Sequence, residues 1–188
     1  MQSFEHPVTI NSIFYPLDEI YEELRQPLPT ASQVAPLEIP EPYRQLLVHD
    51  RDMTPTLEAA HGGKLHLRVL RYAASEAIVT RLVVLVLDND RETAVSMGAI
   101  RIFLAHLPTA ARNLVLERRK PFGAILQQHR VEHRSRPVAY FKVRPDPMIS
   151  EALDVQGSPF LYGRRNTIWN LGGEPLAEVV EILPPVRN

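Results

Sequence analysis

The chain has 188 residues, with 21 basic and 22 acidic side chains, a formal net charge of −1 and no cysteine. This length suffices for one domain with a sizeable core, while the balanced charge provides no overall field for a nucleic-acid backbone. The lack of cysteine excludes disulfides and thiolate chemistry, and no apolar run reaches the roughly 20 residues of a membrane helix. Residues 1–11 lack a signal-peptide pattern, so we expect a soluble, cytoplasmic protein.

The N-terminal third predicts a helix, an arm and two more short helices. Residues 16–25 begin with proline and have apolar side chains at helical spacing, which predicts a short amphipathic helix. Five prolines between positions 27 and 42 predict an extended segment that wraps over the domain. Residues 42–63 predict two short helices around a break at Thr54-Pro55. We therefore divide the chain into an N-terminal helix and arm, residues 1–44, and a domain over residues 45–188, which together form one globular unit.

The rest of the chain predicts hairpins with helices inserted between them. The apolar patterns predict strands over residues 64–73, 77–87, 92–104, 136–143, 160–170 and 176–183, and helices over residues 108–119 and 121–128. The turn Asp88-Asn89-Asp90 joins the second and third strands, and Gly172-Gly173 lies in the last hairpin loop. This order favours an α+β domain built on an antiparallel sheet.

Two charged residues stand within apolar strand patterns: Arg81 within AIVTRLVVLVLD and Glu181 within PLAEVVEILPP. Both are costly to desolvate among valine and leucine, so each needs the other or a charged ligand as its partner. Arginine binds a carboxylate through a planar, bidentate fork, and a glutamate in an apolar pocket can hold a proton near neutral pH. A structural ion pair and a binding site are the two interpretations.

Four stretches of the chain, in order, resemble the chorismate lyase (chorismate pyruvate-lyase) family and its chorismate-lyase-like relatives. They are residues 46–71, 81–90, 120–126 and 161–185. The resemblance implies an antiparallel sheet with helical flaps that close over an internal site. It also implies a lyase, needing neither metal nor cofactor, that eliminates pyruvate from chorismate or a close relative to give a hydroxybenzoate.

The resemblance assigns roles to four residues by position. Arg81 matches the arginine that holds the ring carboxylate, and Glu181 matches the acid/base glutamate near the ring hydroxyl and the ether oxygen. Met53 matches a flap residue whose backbone faces the ligand, and Phe122 stands at an apolar position of the family's Pro-Leu-Gly motif. Alignment at Glu181 needs one inserted residue; counted without it, Glu178 lies on the face that points to the site.

A second arginine of the family has no clear counterpart. Its position falls at Ser96 by gap-free counting and at Ala99 when the glycine is the anchor, with Arg101 nearby. Arg164 and Arg165 are neighbours on a strand and therefore point to opposite faces, so one of them is a candidate for reaching a ligand anion.

Two rival hypotheses belong to other functional classes. Residues 129–133 (HRVEH) match H-x-x-E-H, which on a helix would place two histidines for zinc, but a strand-like, proline-interrupted sequence follows.

The other rival is a non-catalytic module that binds a small aromatic acid, since chorismate-lyase-like folds are similar to effector-binding domains of some bacterial transcription regulators. Residues 1–45 are too short and proline-rich for a helix-turn-helix, so the lyase is our favoured expectation. Either way, the expected partner is a small aromatic or pre-aromatic carboxylate, not nucleic acid or a membrane.

Overall fold

The computed structural model describes residues 12–185, which form a seven-stranded sheet and six α-helices. The first eleven residues of the expected arm, including the stretch without a signal-peptide pattern, lie outside the described residues. The strands are β1 (Ala31–Val34), β2 (Leu65–Ala74), β3 (Ile78–Leu87), β4 (Ala94–Phe103), β5 (His133–Val143), β6 (Leu161–Asn170) and β7 (Pro175–Leu183). The helices are α1 (Leu17–Glu23), α2 (Tyr43–Leu47), α3 (Met53–His61), α4 (Thr109–Glu117), α5 (Phe122–Gln128) and α6 (Pro147–Leu153).

The strands follow the order β1-β5-β6-β7-β4-β3-β2, and every neighbouring pair is antiparallel. The prediction of an α+β domain on an antiparallel sheet is therefore confirmed. Across residues 12–185, none of the helices has the length and apolar character needed to cross a bilayer.

The register divides the sheet into two faces with different partners. On one face, apolar side chains such as Leu82, Val84 and Val180 pack against α1 and α6. The opposite face packs against α2 and α3 near one end of the strands and against α4 and α5 near the other. We call α3 and α5, with the residues that lead into them, the two flaps. Because side chains alternate along a strand, every residue of the central strands is committed to one of these two layers.

Three local features differ from the sequence-based predictions. The proline-rich arm contains strand β1, which pairs with β5 and so forms an edge of the sheet. Helix α3 begins at Met53 and includes Thr54-Pro55, because proline is tolerated in the first turn of a helix, where its missing N–H leaves no bond unmade. Helix α6 was not predicted; the carboxylate of Asp146 accepts a hydrogen bond from the Ile149 N–H at 2.9 Å and caps it.

Candidate ligand-binding site

A cavity of about 70 Å³ lies between the sheet and the two flaps. The volume exceeds what one water molecule needs. Its walls are largely apolar, with side chains from the sheet and the flaps: Met53, Leu67, Val83, Leu85, Ile100, Pro121, Phe122, Ile168 and Val179. Its polar lining residues are Asp52, Thr54, Arg81, Ser96, Arg164, Asn166 and Glu181. The four residues singled out in the sequence, Arg81, Glu181, Met53 and Phe122, thus line one cavity.

Arg81 lies on β3 opposite Ile100 of β4, and the residue is only 1% exposed. Its guanidinium donates to two backbone carbonyls: that of Val115, near the end of α4, and that of Lys120, beyond the helix, at 3.4 Å. Within residues 12–185 no acidic side chain forms an ion pair with it, and its buried Nε has no hydrogen-bond partner. Burial lowers the pKa of Arg81 to about 10, and the positive charge of Arg118 acts in the same direction. The cavity therefore contains a cation that the described part of the chain does not neutralise.

Glu181 is paired with a different arginine. On the adjacent strand β6, Arg164 lies directly opposite Glu181, and its Nε donates to Glu181 Oε2 at 2.7 Å. The Arg164 side chain is fully buried, and that of Glu181 is 13% exposed. The interpretation of Arg81 and Glu181 as a structural ion pair is therefore wrong, because the register gives the carboxylate to Arg164.

Arg164 also holds the segment between α2 and α3. Its Nη1 and Nη2 groups donate to the carbonyl oxygens of Leu47, His49 and Arg51 at 3.2, 3.1 and 3.3 Å. One side chain thus satisfies three carbonyls of a non-helical segment that has few backbone partners of its own. The sequence suggested only that either Arg164 or Arg165 would face the site. It could not indicate which, because that depends on a register the strand pattern leaves open.

The register of β4 shows where the three residues considered for the second arginine lie. Ser96 faces the cavity, Ala99 belongs to the apolar layer on the opposite face, and Arg101 on that opposite face is bonded to Glu19 at 2.6 Å. No second uncommitted cation is found at this point of the cavity among the residues the structure describes.

Glu178, the alternative to Glu181, lies outside the cavity on the other face of the sheet. Its carboxylate accepts a hydrogen bond from Thr167 at 2.9 Å and lies 3.6 Å from Arg165. Burial raises the pKa of Glu178, against the opposing effects of these two neighbours. Of these two glutamates, Glu181 is therefore the one that lines the cavity.

The H-x-x-E-H segment does not form a metal-binding helix. Helix α5 ends at Gln128, so His129 follows the helix while His133 begins strand β5. His133 instead bonds to Asp52. Among residues 12–185, no group of three or more histidine, aspartate or glutamate side chains is arranged to hold a metal ion.

Several solved structures are similar in fold to this chain. No protein-family model and no curated protein sequence matches the chain. The structure is similar to PhnF from Mycobacterium smegmatis (12% identity, 93% of this chain and 95% of that chain, TM-score 0.54) and to the effector domain of the same protein (10%, 71% and 88%, TM-score 0.53). Another match is the ligand-binding domain of a putative GntR-family transcriptional regulator from Bordetella bronchiseptica (14%, 67% and 88%, TM-score 0.47). At these identities the likeness shows the fold, which is the chorismate-lyase-like fold of GntR C-terminal domains.

These comparisons contradict the expectation of a chorismate lyase. The similar structures are transcriptional regulators, which are not enzymes, so the expected release of pyruvate from chorismate is wrong. The site geometry gives a physical reason as well. Of the residues considered for the second arginine, only Ser96 lines the cavity, and it carries no charge, while Glu181 is engaged by Arg164 instead of being available as an acid. What the resemblance identified correctly is the fold; the alternative hypothesis of a binding module fits the comparisons better.

The geometry predicts that Arg164 is essential for stability and not only for the site. Arg164→Met would leave the largely buried Glu181 carboxylate without its cation and three carbonyls without their donor, so the free energy of unfolding should fall by about 3–5 kcal/mol. Urea denaturation monitored by circular dichroism measures it. The double variant Arg164→Met with Glu181→Gln should recover part of the loss, because no buried charge is then left unpaired. Equal stability of wild type and Arg164→Met would contradict the assigned role.

Proposed function

We propose that this chain is a non-catalytic effector-binding domain whose ligand is a small carboxylate with an apolar, aromatic body, bound in the cavity between the sheet and the flaps. The proposal is supported by the fold it shares with the effector domain of PhnF and by the chemistry of the cavity. In this role Arg81 binds the ligand's carboxylate, and Met53 and Phe122 close over its body.

The observation that carries the proposal is the buried guanidinium of Arg81. An arginine that is 1% exposed and lacks a carboxylate partner among residues 12–185 is costly to keep charged, and two backbone carbonyls compensate only part of that cost. A ligand carboxylate would supply the missing charge and an acceptor for the unbonded Nε. An apolar cavity strengthens this attraction, because water does not screen it.

The rest of the cavity suits a flat body with a hydrogen-bonding group at its other end. Glu181 lies two strands away from Arg81, roughly 10 Å across the sheet, and two residues along β7 from Val179, which is in the same row as Arg81 and the apolar Ile100. Beside Glu181, the amide of Asn166 donates to Ser135 Oγ at 2.8 Å, while its Oδ1 is buried without a partner in the described part of the chain. A hydroxyl or amino group on the ligand would give these acceptors a donor. We therefore infer a hydroxy- or amino-substituted aromatic acid as the preferred ligand class.

Removal of the Arg81 guanidinium should abolish binding of aromatic carboxylates without unfolding the protein. In Arg81→Met, the loss of two hydrogen bonds is offset by the loss of a buried, unneutralised charge, so the free energy of unfolding should change by no more than about 1 kcal/mol. Wild type should bind benzoate and 4-hydroxybenzoate and gain melting temperature, whereas Arg81→Met should do neither. Isothermal titration calorimetry and thermal denaturation measure both effects.

Two controls make this experiment specific to the charge. Benzamide has the shape of benzoate without its charge and should not bind to wild type. Arg101→Met removes an arginine from the opposite face of the same sheet and should bind benzoate as wild type does. Equal affinity of wild type and Arg81→Met for benzoate would refute the proposed anchor.

A binding module should return its ligand unchanged. Chorismate incubated with the protein should release pyruvate no faster than chorismate in buffer, because the cavity has no uncommitted acid to protonate a leaving oxygen. A lactate dehydrogenase-coupled assay detects pyruvate. Protein-dependent release that Glu181→Gln abolishes would contradict a non-catalytic role.

A further inference from the structure

One ion pair links the α3 flap to the strand that lies beside α5. The Nε2 atom of His133 is 2.9 and 3.0 Å from the two carboxylate oxygens of Asp52, and its Nδ1 atom is 2.7 Å from the carbonyl oxygen of Val131. Both ring nitrogens face acceptors that cannot donate, so each nitrogen must carry a proton. The geometry therefore describes a positively charged imidazolium held between a carboxylate and a carbonyl.

This pair lies at the rim of the cavity. Asp52 lines the cavity and immediately precedes Met53, the first residue of α3, while His133 is the first residue of β5. The two side chains are 12% and 16% exposed, so water screens their attraction little. The flaps also touch here, since Gly123 of α5 packs so closely on Thr54 that an added Cβ would lie 3.3 Å from its hydroxyl oxygen. The pair therefore connects the start of α3 directly to β5, close to the point where the flaps meet.

We propose that Asp52 and His133 form a proton-dependent clasp that holds the α3 flap closed over the cavity. When the imidazolium loses its proton, the ion pair becomes at most a hydrogen bond from a neutral imidazole to the Asp52 carboxylate, and one ring nitrogen then faces its acceptor without a proton. The connection between the start of α3 and β5 is thereby weakened. Asp52 and His133 are in this sense positioning residues, and they act on the ligand through the flap. The consequence for ligand release rests on the proposed function; the opening of the flap does not.

The charges around His133 leave Asp52 as its decisive neighbour. The groove that contains His133 is also lined by Asp50 and Arg51 from the segment before α3 and by Arg134 and Arg136 from β5. From α5 and β6, the groove is lined by Gln127 and by Asn170, which pairs with His133 in the sheet, and both side chains are neutral. Glu132, the preceding residue, is exposed to solvent.

The direction of the pH effect follows from these contacts. The hydrogen bond to Asp52 raises the pKa of His133 above its usual 6.5 despite the opposing effect of burial. A group whose pKa is raised in the folded state contributes stability that is complete below the unfolded pKa and is lost as pH rises through the folded pKa. The clasp should therefore be closed at pH 6 and should open on the alkaline side of the His133 titration.

Hydrogen exchange of the ligand-free protein tests the clasp directly. NMR of the imidazole protons gives the titration midpoint of His133, which should lie above 6.5. Amide protection in α3, corrected for the intrinsic exchange rate, should then fall about tenfold in wild type between one pH unit below and two above that midpoint, as expected for loss of a charge-assisted hydrogen bond. In His133→Gln the protection should be low at both pH values. Protection in α3 that does not follow the His133 titration in wild type would overturn the clasp.

Two further variants separate the clasp from a general effect on folding. Asp52→Asn keeps an oxygen acceptor for Nε2 but removes the charge, so it should return the His133 midpoint towards 6.5 and leave α3 at the low protection. His61→Gln removes another histidine from α3, one whose pKa burial lowers, and it should retain the wild-type pH dependence. Loss of the pH dependence in His61→Gln would also contradict the assignment to His133.

Ligand release is measured separately with benzoate. Its dissociation rate from wild type should rise about tenfold over the same pH interval and should be fast at both pH values in His133→Gln. If benzoate binds but α3 protection is independent of pH, the clasp is wrong and the proposed function stands. If α3 protection follows the His133 titration but none of the carboxylates binds, the proposed function is wrong and the clasp stands.

Discussion

A buried positive charge without a matching negative one is the constraint on which the site depends. Arg81 carries a guanidinium into the layer between sheet and helices, where a charge is costly unless it is paired. Both carboxylates that line the same cavity among the described residues have partners: Glu181 is bound to Arg164, and Asp52 is bound to His133. Among the described residues, the strands of this face of the sheet thus place two buried arginines and one partly buried glutamate at the cavity, and the arginine without a carboxylate partner is Arg81, whose Nε is unbonded.

The pairing of Arg164 with Glu181 also explains how a cavity survives between a sheet and short helices. Helices of five to nine residues have little stability of their own and need tertiary contacts. Arg164 provides such contacts by binding three carbonyls between α2 and α3, and the Asp52–His133 pair adds another at the start of α3. Polar contacts at the rim hold the flap, so its apolar residues need not fill the space beneath it.

Part of the fold and part of the site could be predicted from the sequence. The parts that could not be predicted were missed for different physical reasons. The strand patterns predicted the sheet because its central strands are buried on both faces, and an arginine among valines and leucines marked Arg81 as unusual. The partner of Glu181 could not be predicted, because it depends on the pairing of β6 with β7, and a shift by one residue would exchange Arg164 for Arg165. Strand β1 has no proline of its own, but it is only four residues long and lies between Pro29 and Pro36, so the proline-rich composition around it hid the strand. The resemblance to a lyase correctly indicated the fold but not the function, because one fold supports sites of different chemistry.

We infer that Arg81, which lacks a carboxylate partner among the described residues, binds an anionic ligand inside the cavity. The most direct measurement is a crystal structure of the protein grown with 4-hydroxybenzoate, compared with one grown without it. We expect ligand density between the sheet and the flaps, with the carboxylate within hydrogen-bond distance of the Arg81 guanidinium and the hydroxyl towards Glu181 and Asn166. Ligand density only at the protein surface, or an Arg81 guanidinium that is paired with a carboxylate of the chain itself, would contradict the account.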